Sequence, residues 1–203
     1  MSKKWKKVSS LTELPHKVLE AAYNTGIVAK DKGRSGSFLH LDQSTVFSKV
    51  EDIFHKQIEL MDIKEALNKY DWLQDYWWKL VNPEKDEFTK RVEEEFSGGY
   101  FMRILPNTKI TFPLQSCLLI TEEGLEQKIH NIIIAEEGSD AHIITGCTLH
   151  PDTKRAAHLG ITEIYVKQNA TLNFSMIHHW AEDTKVRPRS GILIEENGTF
   201  VSN

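Results

Sequence analysis

Four stretches in the second half of the chain share one pattern: MRILPNTKITF (102–112), IIAEEGSDAHI (133–143), IYVKQNATLNF (164–174) and ILIEENGTFVS (192–202). Each holds a residue type that tolerates a left-handed backbone at a turn, followed three positions later by an apolar residue. These turn residues lie 31, 31 and 28 positions apart: Asn107, Gly138, Asn169 and Asn197. A strand–turn–strand unit at such a period predicts a parallel β-helix, because equivalent residues of successive coils stack about 4.8 Å apart.

The same register gives a position to one of the two cysteines. Nine residues beyond the turn residues lie Ser116, Cys147 and His178, so we expect Cys147 to stack on His178 of the next coil. These positions share the odd-numbered parity of the inward apolar residues, which predicts that the thiol points into the coil. The row one residue further on should face the opposite way: Cys117, Thr148 and His179.

The first half of the chain has a helical period instead. In MDIKEALNKY (61–70), apolar residues recur at i, i+3, i+4 and i+7, and Asp62 can cap the amino end. The aromatic segment YDWLQDYWWKL (70–80) has Lys79 as its single basic residue, which favours core or partner-helix packing over base stacking. We therefore predict a mainly β chain with a helical amino-terminal region, residues 1–97, and a parallel β-helix, residues 98–203.

Length and composition restrict the class of protein. The chain has 203 residues, of which 40% are hydrophobic and 27% charged, enough to bury a core. A net charge of −4 argues against nucleic acid as a partner. No apolar run approaches the roughly 20 residues that a membrane span needs, and the basic start MSKKWKKVSS leads into no signal segment. We expect a cytoplasmic protein without a membrane partner.

Cys117 and Cys147 can form no disulfide framework, and no C-x-x-C pair suggests a zinc or ferredoxin-type site. The residues alone leave Cys147 as a small buried side chain, a metal ligand with His178, or a thiol whose ionisation the stacked imidazole promotes. Two ligands do not complete a tetrahedral metal site, so the metal remains unknown. A metal-dependent hydrolase is disfavoured, since the chain has no H-x-H or H-E-x-x-H motif. The remaining histidines of this half are interpreted as strand-face or loop residues: His130, His142, His150 and His158.

Several blocks of the sequence resemble the SufB/SufD family, the scaffold proteins of the SUF iron–sulfur cluster assembly system, and most of all its shorter archaeal-type members. They run in order from about Gly36 to the carboxyl terminus: SGSFLHLDQSTVF, MDIKEALNKYDWLQDYWWKLV, GGYFMRILPNTKITFPLQ, HNIIIAEEGSDAHIITGCT and MIHHW. The resemblance implies a helical region followed by a right-handed parallel β-helix. Family members continue beyond GTFVSN, so it also implies that the carboxyl-terminal part is lacking here.

The resemblance implies a non-enzymatic scaffold that builds a transient Fe–S cluster from iron and persulfide sulfur. Cys147 matches the family's sulfur-accepting thiol, and the family's interior Gln, Trp and Lys correspond to His178, Trp180 and Arg189. The implied partners are an ABC-type ATPase subunit (SufC-like) and a second SufB/SufD-type subunit or a second copy of this chain. The cluster is expected to be absent from the isolated chain. The alternative is a non-catalytic β-solenoid interaction module with unpaired strand edges.

Overall fold

The structure is a computed structural model that describes residues 4–29 and 33–203. The α-helices are α1 (His16–Tyr23), α2 (Ile63–Lys69) and α3 (Glu87–Glu94), and 3-10 turns cover Leu11–Glu13, Asp52–Phe54 and Asp71–Asp75. The strands are β1 (Gly36–Leu41), β2 (Ser44–Val50), β3 (Ile58–Asp62), β4 (Tyr100–Ile104), β5 (Leu114–Ile120), β6 (Glu126–Ala135), β7 (Asp140–Leu149), β8 (Arg155–Val166), β9 (Thr171–His179), β10 (Asp183–Ile194) and β11 (Thr199–Ser202).

The strands form two facing sheets of a parallel β-solenoid of about 3 turns, as the sequence predicted. Sheet A has the order β11-β9-β7-β5-β1-β2, and sheet B has the order β10-β8-β6-β4-β3. Successive coils add alternate strands to each sheet, and pairing is parallel except between β1 and β2 and between β3 and β4. The chain therefore builds its core by stacking coils, each of which packs on its neighbours.

The four predicted turn residues have the left-handed backbone that the sequence required. Their φ angles are 55° at Asn107, 65° at Gly138, 59° at Asn169 and 55° at Asn197. The turns also stack through hydrogen bonds. The backbone N–H of Asn107 donates to the Glu137 carbonyl at 2.8 Å, and the next two turns repeat this contact at 3.0 Å. The turn residues thus mark the coils, and the prediction from their spacing is confirmed.

The predicted pairing of Cys147 with His178 and of Thr148 with His179 is confirmed. One coil earlier the prediction is wrong: Ser116 pairs with Thr145, and Cys117 pairs with Gly146.

Two extra residues in the first coil cause this change. Lys109 bridges to Asp140 at the full coil period, whereas Leu114 pairs with Ile143, two positions closer in the sequence. Between them Pro113 has no N–H to donate to a ladder, and Phe112 leaves the coil interior to pack edge-on against Phe54. Leu114 takes the inward position that the sequence pattern assigned to Phe112.

Residues 1–97 supply strands as well as helices. Strand β1 pairs in parallel with β5, so this region contributes directly to sheet A. Asp62 caps α2 as predicted, since its Oδ1 accepts the Lys64 N–H at 2.8 Å. The aromatic segment forms a 3-10 turn rather than a longer helix, but it packs on the core, with Leu73 fully buried. The division at residue 97 stays a prediction.

Three apolar layers follow from the two sheets. The space between the sheets, which we call the lumen, is filled by residues that include Tyr100, Leu118, Ile133 and Cys147. Helix α1 and the residues before it cover the outer face of sheet A, and the aromatic segment and α3 cover the outer face of sheet B. None of the helices in the described part of the chain has the length and apolarity needed to cross a membrane.

Candidate functional site

Cys147 lies on β7 with its side chain in the lumen. It pairs with Leu118 on one side and with His178 on the other, and its side chain is 2% exposed. Burial, and next the proximity of Cys117, raises the pKa of the Cys147 thiol far above its usual value. The thiol is therefore protonated at neutral pH, contrary to the expectation that a stacked imidazole promotes its ionisation.

A small cavity opens beside this thiol. Its volume is about 20 Å³, which is room for one water-sized atom. Cys147 and His178 line it from sheet A, while His158 and Gly160 line it from sheet B. The lumen therefore brings the predicted thiol and the predicted imidazole to one space, and it adds a second histidine.

The protonation of His158 follows from its neighbours. The Gln127 amide nitrogen donates to the carbonyls of Asp42 at 3.0 Å and Leu119 at 3.4 Å, which leaves Gln127 Oε1 as an acceptor. That oxygen lies 2.9 Å from His158 Nδ1, so Nδ1 carries the proton. Burial, with repulsion from His178 and His40, lowers the pKa of His158 to about 3. The ring is neutral, and its Nε2 has a free lone pair.

Gly160 makes room for this ring and indicates its direction. A methyl group on Gly160 would lie 2.9 Å from His158 Nε2. Because Gly160 lines the cavity, Nε2 points toward the cavity wall rather than into a packed layer. Sequence reasoning placed His158 among strand-face residues and missed this role. The available signal was the coil period itself, since one full period separates His158 from Gln127.

His178 lines this cavity, and Trp180 packs beside it. The ring centroid of Trp180 is 5.2 Å from that of His158 and 6.0 Å from that of His178. Trp180 Nε1 is buried and has no hydrogen-bond partner within residues 4–29 and 33–203. His178 is exposed, and the desolvation that its neighbours cause lowers its pKa. His178 therefore lines the same cavity as Cys147, and Trp180 packs beside both histidines, while their role in a sulfur path stays a prediction.

Arg189 does not join this group. Its Nε donates to Asp86 at 2.7 Å, and its guanidinium lies 5.6 Å from the Phe88 ring. The alternation of β10 explains the position, because Pro188 and Ser190 line the lumen cavity and the residue between them must face outward. We expected Arg189 in the coil interior, and this is wrong. Arg189 faces outward and forms an ion pair with Asp86, the amino-terminal cap of α3.

The other histidines have structural contacts. His130 Nε2 lies 2.8 Å from Glu163, and its ring stacks on Trp77 at 3.9 Å on the outer face of sheet B. His142 lies 3.0 Å from the Ser175 hydroxyl, and His150 follows the end of β7. Across the described ranges, no set of three or more His, Cys, Asp or Glu side chains is arranged to hold a metal ion.

Comparisons with known proteins point to one family. The family model described as "SUF system FeS cluster assembly, SufBD core domain" matches residues 118–203. An iron-sulfur cluster assembly SufBD family protein of Methanothermobacter thermautotrophicus is 42% identical over 195 residues, and one of Archaeoglobus fulgidus is 45% identical over 184. These alignments cover 94% and 91% of this chain but 47% and 48% of the relatives.

The likeness extends to bacteria at lower identity. The iron-sulfur cluster assembly protein SufB of Bacillus subtilis is 26% identical over 194 residues, which are 94% of this chain and 42% of that protein. The chain thus spans about half the length of the curated relatives that it matches. Since the core-domain match covers the coils that hold Cys147 and His178, and archaeal members align along nearly the whole chain, this chain belongs to the SufB/SufD family.

Proposed function

We propose that this chain is part of an iron–sulfur cluster assembly scaffold in which Cys147 accepts sulfur from a protein persulfide. One observation carries the proposal: a free thiol inside the lumen pairs in register with the solvent-exposed His178, and both line one small cavity. The relatives' names support the assembly role, and the thiol supports the sulfur-accepting step. The chain then acts as a scaffold rather than as an enzyme.

The transfer step balances without an outside oxidant. The Cys147 sulfur attacks the terminal sulfur of a donor persulfide, R–S–SH, and a new S–S bond forms as the donor's S–S bond breaks. The donor leaves as a thiolate and takes the proton that Cys147 loses. The products are R–SH and Cys147–S–SH. Because burial keeps the resting thiol protonated, the ionised form has to arise as the donor sulfur arrives.

The exposure of the residues indicates where sulfur enters. Cys147 is buried, whereas His178 on the neighbouring strand reaches solvent. Ile177, just before it, is 38% exposed. We therefore assign the entry to the end of β9, with His178 and Trp180 between solvent and the thiol. Arg189, which is paired with Asp86 on the outer face, has no part in this path.

Iron and the completed Fe–S cluster are cargo in this proposal. The partners are an ABC-type ATPase subunit and a second SufB/SufD-type subunit or a second copy of the chain, and the complex works in the cytoplasm. Strands β10 and β11 expose large apolar side chains that a further subunit can cover: Ile192, Leu193, Ile194 and Val201. This exposure also favours the second candidate function, a β-solenoid interaction module that carries no sulfur.

Sulfur loading separates the two candidates. The chain is treated with glutathione persulfide, and the persulfide on each cysteine is measured by alkylation and peptide mass spectrometry. We expect sulfur mainly on Cys147 in the wild type and in Cys117→Ser, and little in Cys147→Ser. Equal labelling of both cysteines, or loss of labelling in Cys117→Ser alone, would contradict the proposal and favour the interaction module.

A further inference from the structure

We infer that His158 is a positioning residue whose Nε2 accepts the S–H of the sulfur carried by Cys147, and so holds one neutral sulfur atom in the lumen cavity. The inference deepens the proposed function and rests on it, since it requires Cys147 to accept sulfur. His158 acts through a hydrogen bond and takes part in no bond-making step. The proton remains on the terminal sulfur of Cys147–S–SH.

The orientation of the His158 ring is fixed by a chain of hydrogen bonds. Two backbone carbonyls hold the Gln127 amide nitrogen, and the Gln127 oxygen holds His158 Nδ1–H. Nε2 is left as an acceptor on the side of Gly160, in the wall of the cavity. Within the described ranges, this nitrogen makes no hydrogen bond to the protein.

Three other polar side chains of the cavity wall, Asn131, Thr162 and Thr145, already have protein partners, whereas no hydrogen bond in the described part of the chain involves the His178 ring or the Ser190 hydroxyl. Asn131 donates to the Thr162 hydroxyl at 3.3 Å, and the Thr145 hydroxyl lies 2.9 Å from that of Ser116. Within residues 4–29 and 33–203, His158 Nε2 is an acceptor in this wall without a protein partner, and unlike the His178 ring its tautomer is fixed by a hydrogen bond to Gln127. An acceptor in a cavity wall gains a hydrogen bond when a donor enters the cavity. The terminal S–H of a persulfide on Cys147 is such a donor.

The size and polarity of the cavity fit one sulfur atom in its protonated form. A volume of about 20 Å³ is enough for a single atom beyond the Cys147 sulfur. The lumen also disfavours charge, because the burial that keeps the thiol protonated acts on a persulfide in the same way. A neutral S–SH group needs an acceptor, and a neutral imidazole nitrogen supplies one.

The first test uses the wild-type chain. The ¹⁵N resonances of His158 are recorded before and after loading with glutathione persulfide, with Cys147→Ser treated in the same way as the control. We expect the free chain to show a proton on Nδ1 and a bare Nε2. Loading should shift the Nε2 resonance in the wild type and leave it in place in Cys147→Ser. An unshifted Nε2 resonance on a loaded chain would overturn the inference.

The second test changes the acceptor. His158→Phe keeps an aromatic ring but removes Nε2, while Gln127→Glu keeps the imidazole and favours its charged form, which turns Nε2 into a donor. We expect each variant to retain about tenfold less persulfide on Cys147, the effect of one lost hydrogen bond. Cys117 in the same sample serves as the internal control. A purely space-filling role for His158 would leave Gln127→Glu unaffected.

The outcomes distinguish a failure of this inference from a failure of the proposed function on which it rests. If Cys147 takes sulfur in the wild type and both variants retain it equally well, the positioning role is wrong and the proposed function stands. If Cys147 in the wild type takes no more sulfur than Cys117, the proposed function fails and the inference fails with it. Where His158→Phe does not fold, the resonance measurement on the wild type decides.

Discussion

The two cysteines of sheet A lie on neighbouring strands, and they differ in the face that they occupy. Cys117 points outward into the layer under α1, and Cys147 points into the lumen. Burial raises the pKa of both thiols, to about 12 for Cys117 even with a hydrogen bond from Thr25 that lowers it. Burial therefore does not distinguish them. Their neighbours do, because only Cys147 borders a cavity that holds a neutral histidine.

The largest expected effect on stability comes from opening a cavity on one face of sheet A at a time. Leu118→Ala removes a fully buried side chain that pairs with Cys147, and we expect a loss of about 3 kcal/mol in the free energy of unfolding. Alkylation of Cys147 should accelerate more than that of Cys117. Urea denaturation and peptide mass spectrometry measure the two effects.

Leu119→Ala is the matched variant on the outer face, since Leu119 is equally buried and lies in the layer of Cys117. We expect a similar loss in the free energy of unfolding, but here the alkylation of Cys117 should accelerate instead of that of Cys147. If both variants expose both thiols to the same extent, the two faces open together and the comparison between them fails.

Two glycines, one on the outer face and one in the lumen, give the next largest expected effect and test the same comparison. A methyl group on Gly146 would lie 2.2 Å from Thr25 Oγ1, on the outer face, so Gly146→Ala should cost about 2 kcal/mol of stability. Gly160→Ala instead crowds His158 in the lumen. We expect the first variant to raise the reactivity of Cys117 and the second to change Cys147 alone, as measured by alkylation rates. Faster alkylation of Cys117 in Gly160→Ala would contradict the independence of the two faces.

Acidification tests the neutral histidines of the lumen. Burial lowers the pKa of His40 to about 4 and that of His158 to about 3, from 6.5 in the unfolded chain. Their contribution to the free energy of unfolding is fully present above pH 6.5. It is lost as the pH falls toward those values, because the unfolded chain then binds more protons than the folded chain. Each group adds up to about 1.4 kcal/mol per pH unit in that window.

Urea midpoints between pH 7 and pH 4 measure this slope. His158→Phe should flatten the slope by the share of one group. A slope that is the same in His158→Phe and in the wild type would mean that the ring does not have to stay neutral.

The smallest expected effect concerns the lumen hydroxyls. Thr145 Oγ1 lies 2.9 Å from the Ser116 hydroxyl and 3.2 Å from that of Tyr100. Thr145→Val leaves both without this partner and should cost about 1 kcal/mol. Thr148→Val is the control on the opposite face, where the hydroxyl donates to the His179 carbonyl at 2.9 Å. Calorimetry should show a similar loss for both, with faster alkylation of Cys147 only in Thr145→Val.

The sequence predicted the coil register well where the turns are regular. The coil between Gly138 and Asn169 holds strands without an insertion, so the pairing of Cys147 with His178 followed from counting. The same counting failed at Cys117, because two residues near Pro113 leave the ladder. A spacing between turns counts the residues of a coil, but it does not say how many of them lie in the strand.

The sequence by itself determined the coils and the face of Cys147. Turns that need a left-handed backbone accept few residue types, and a strand alternates its side chains strictly. Only the tertiary structure decided that Arg189 pairs with Asp86 and that Gln127 fixes the proton of His158. Both contacts join residues that are distant in the chain, and such partners are set by the packing of whole coils and helices rather than by any local pattern.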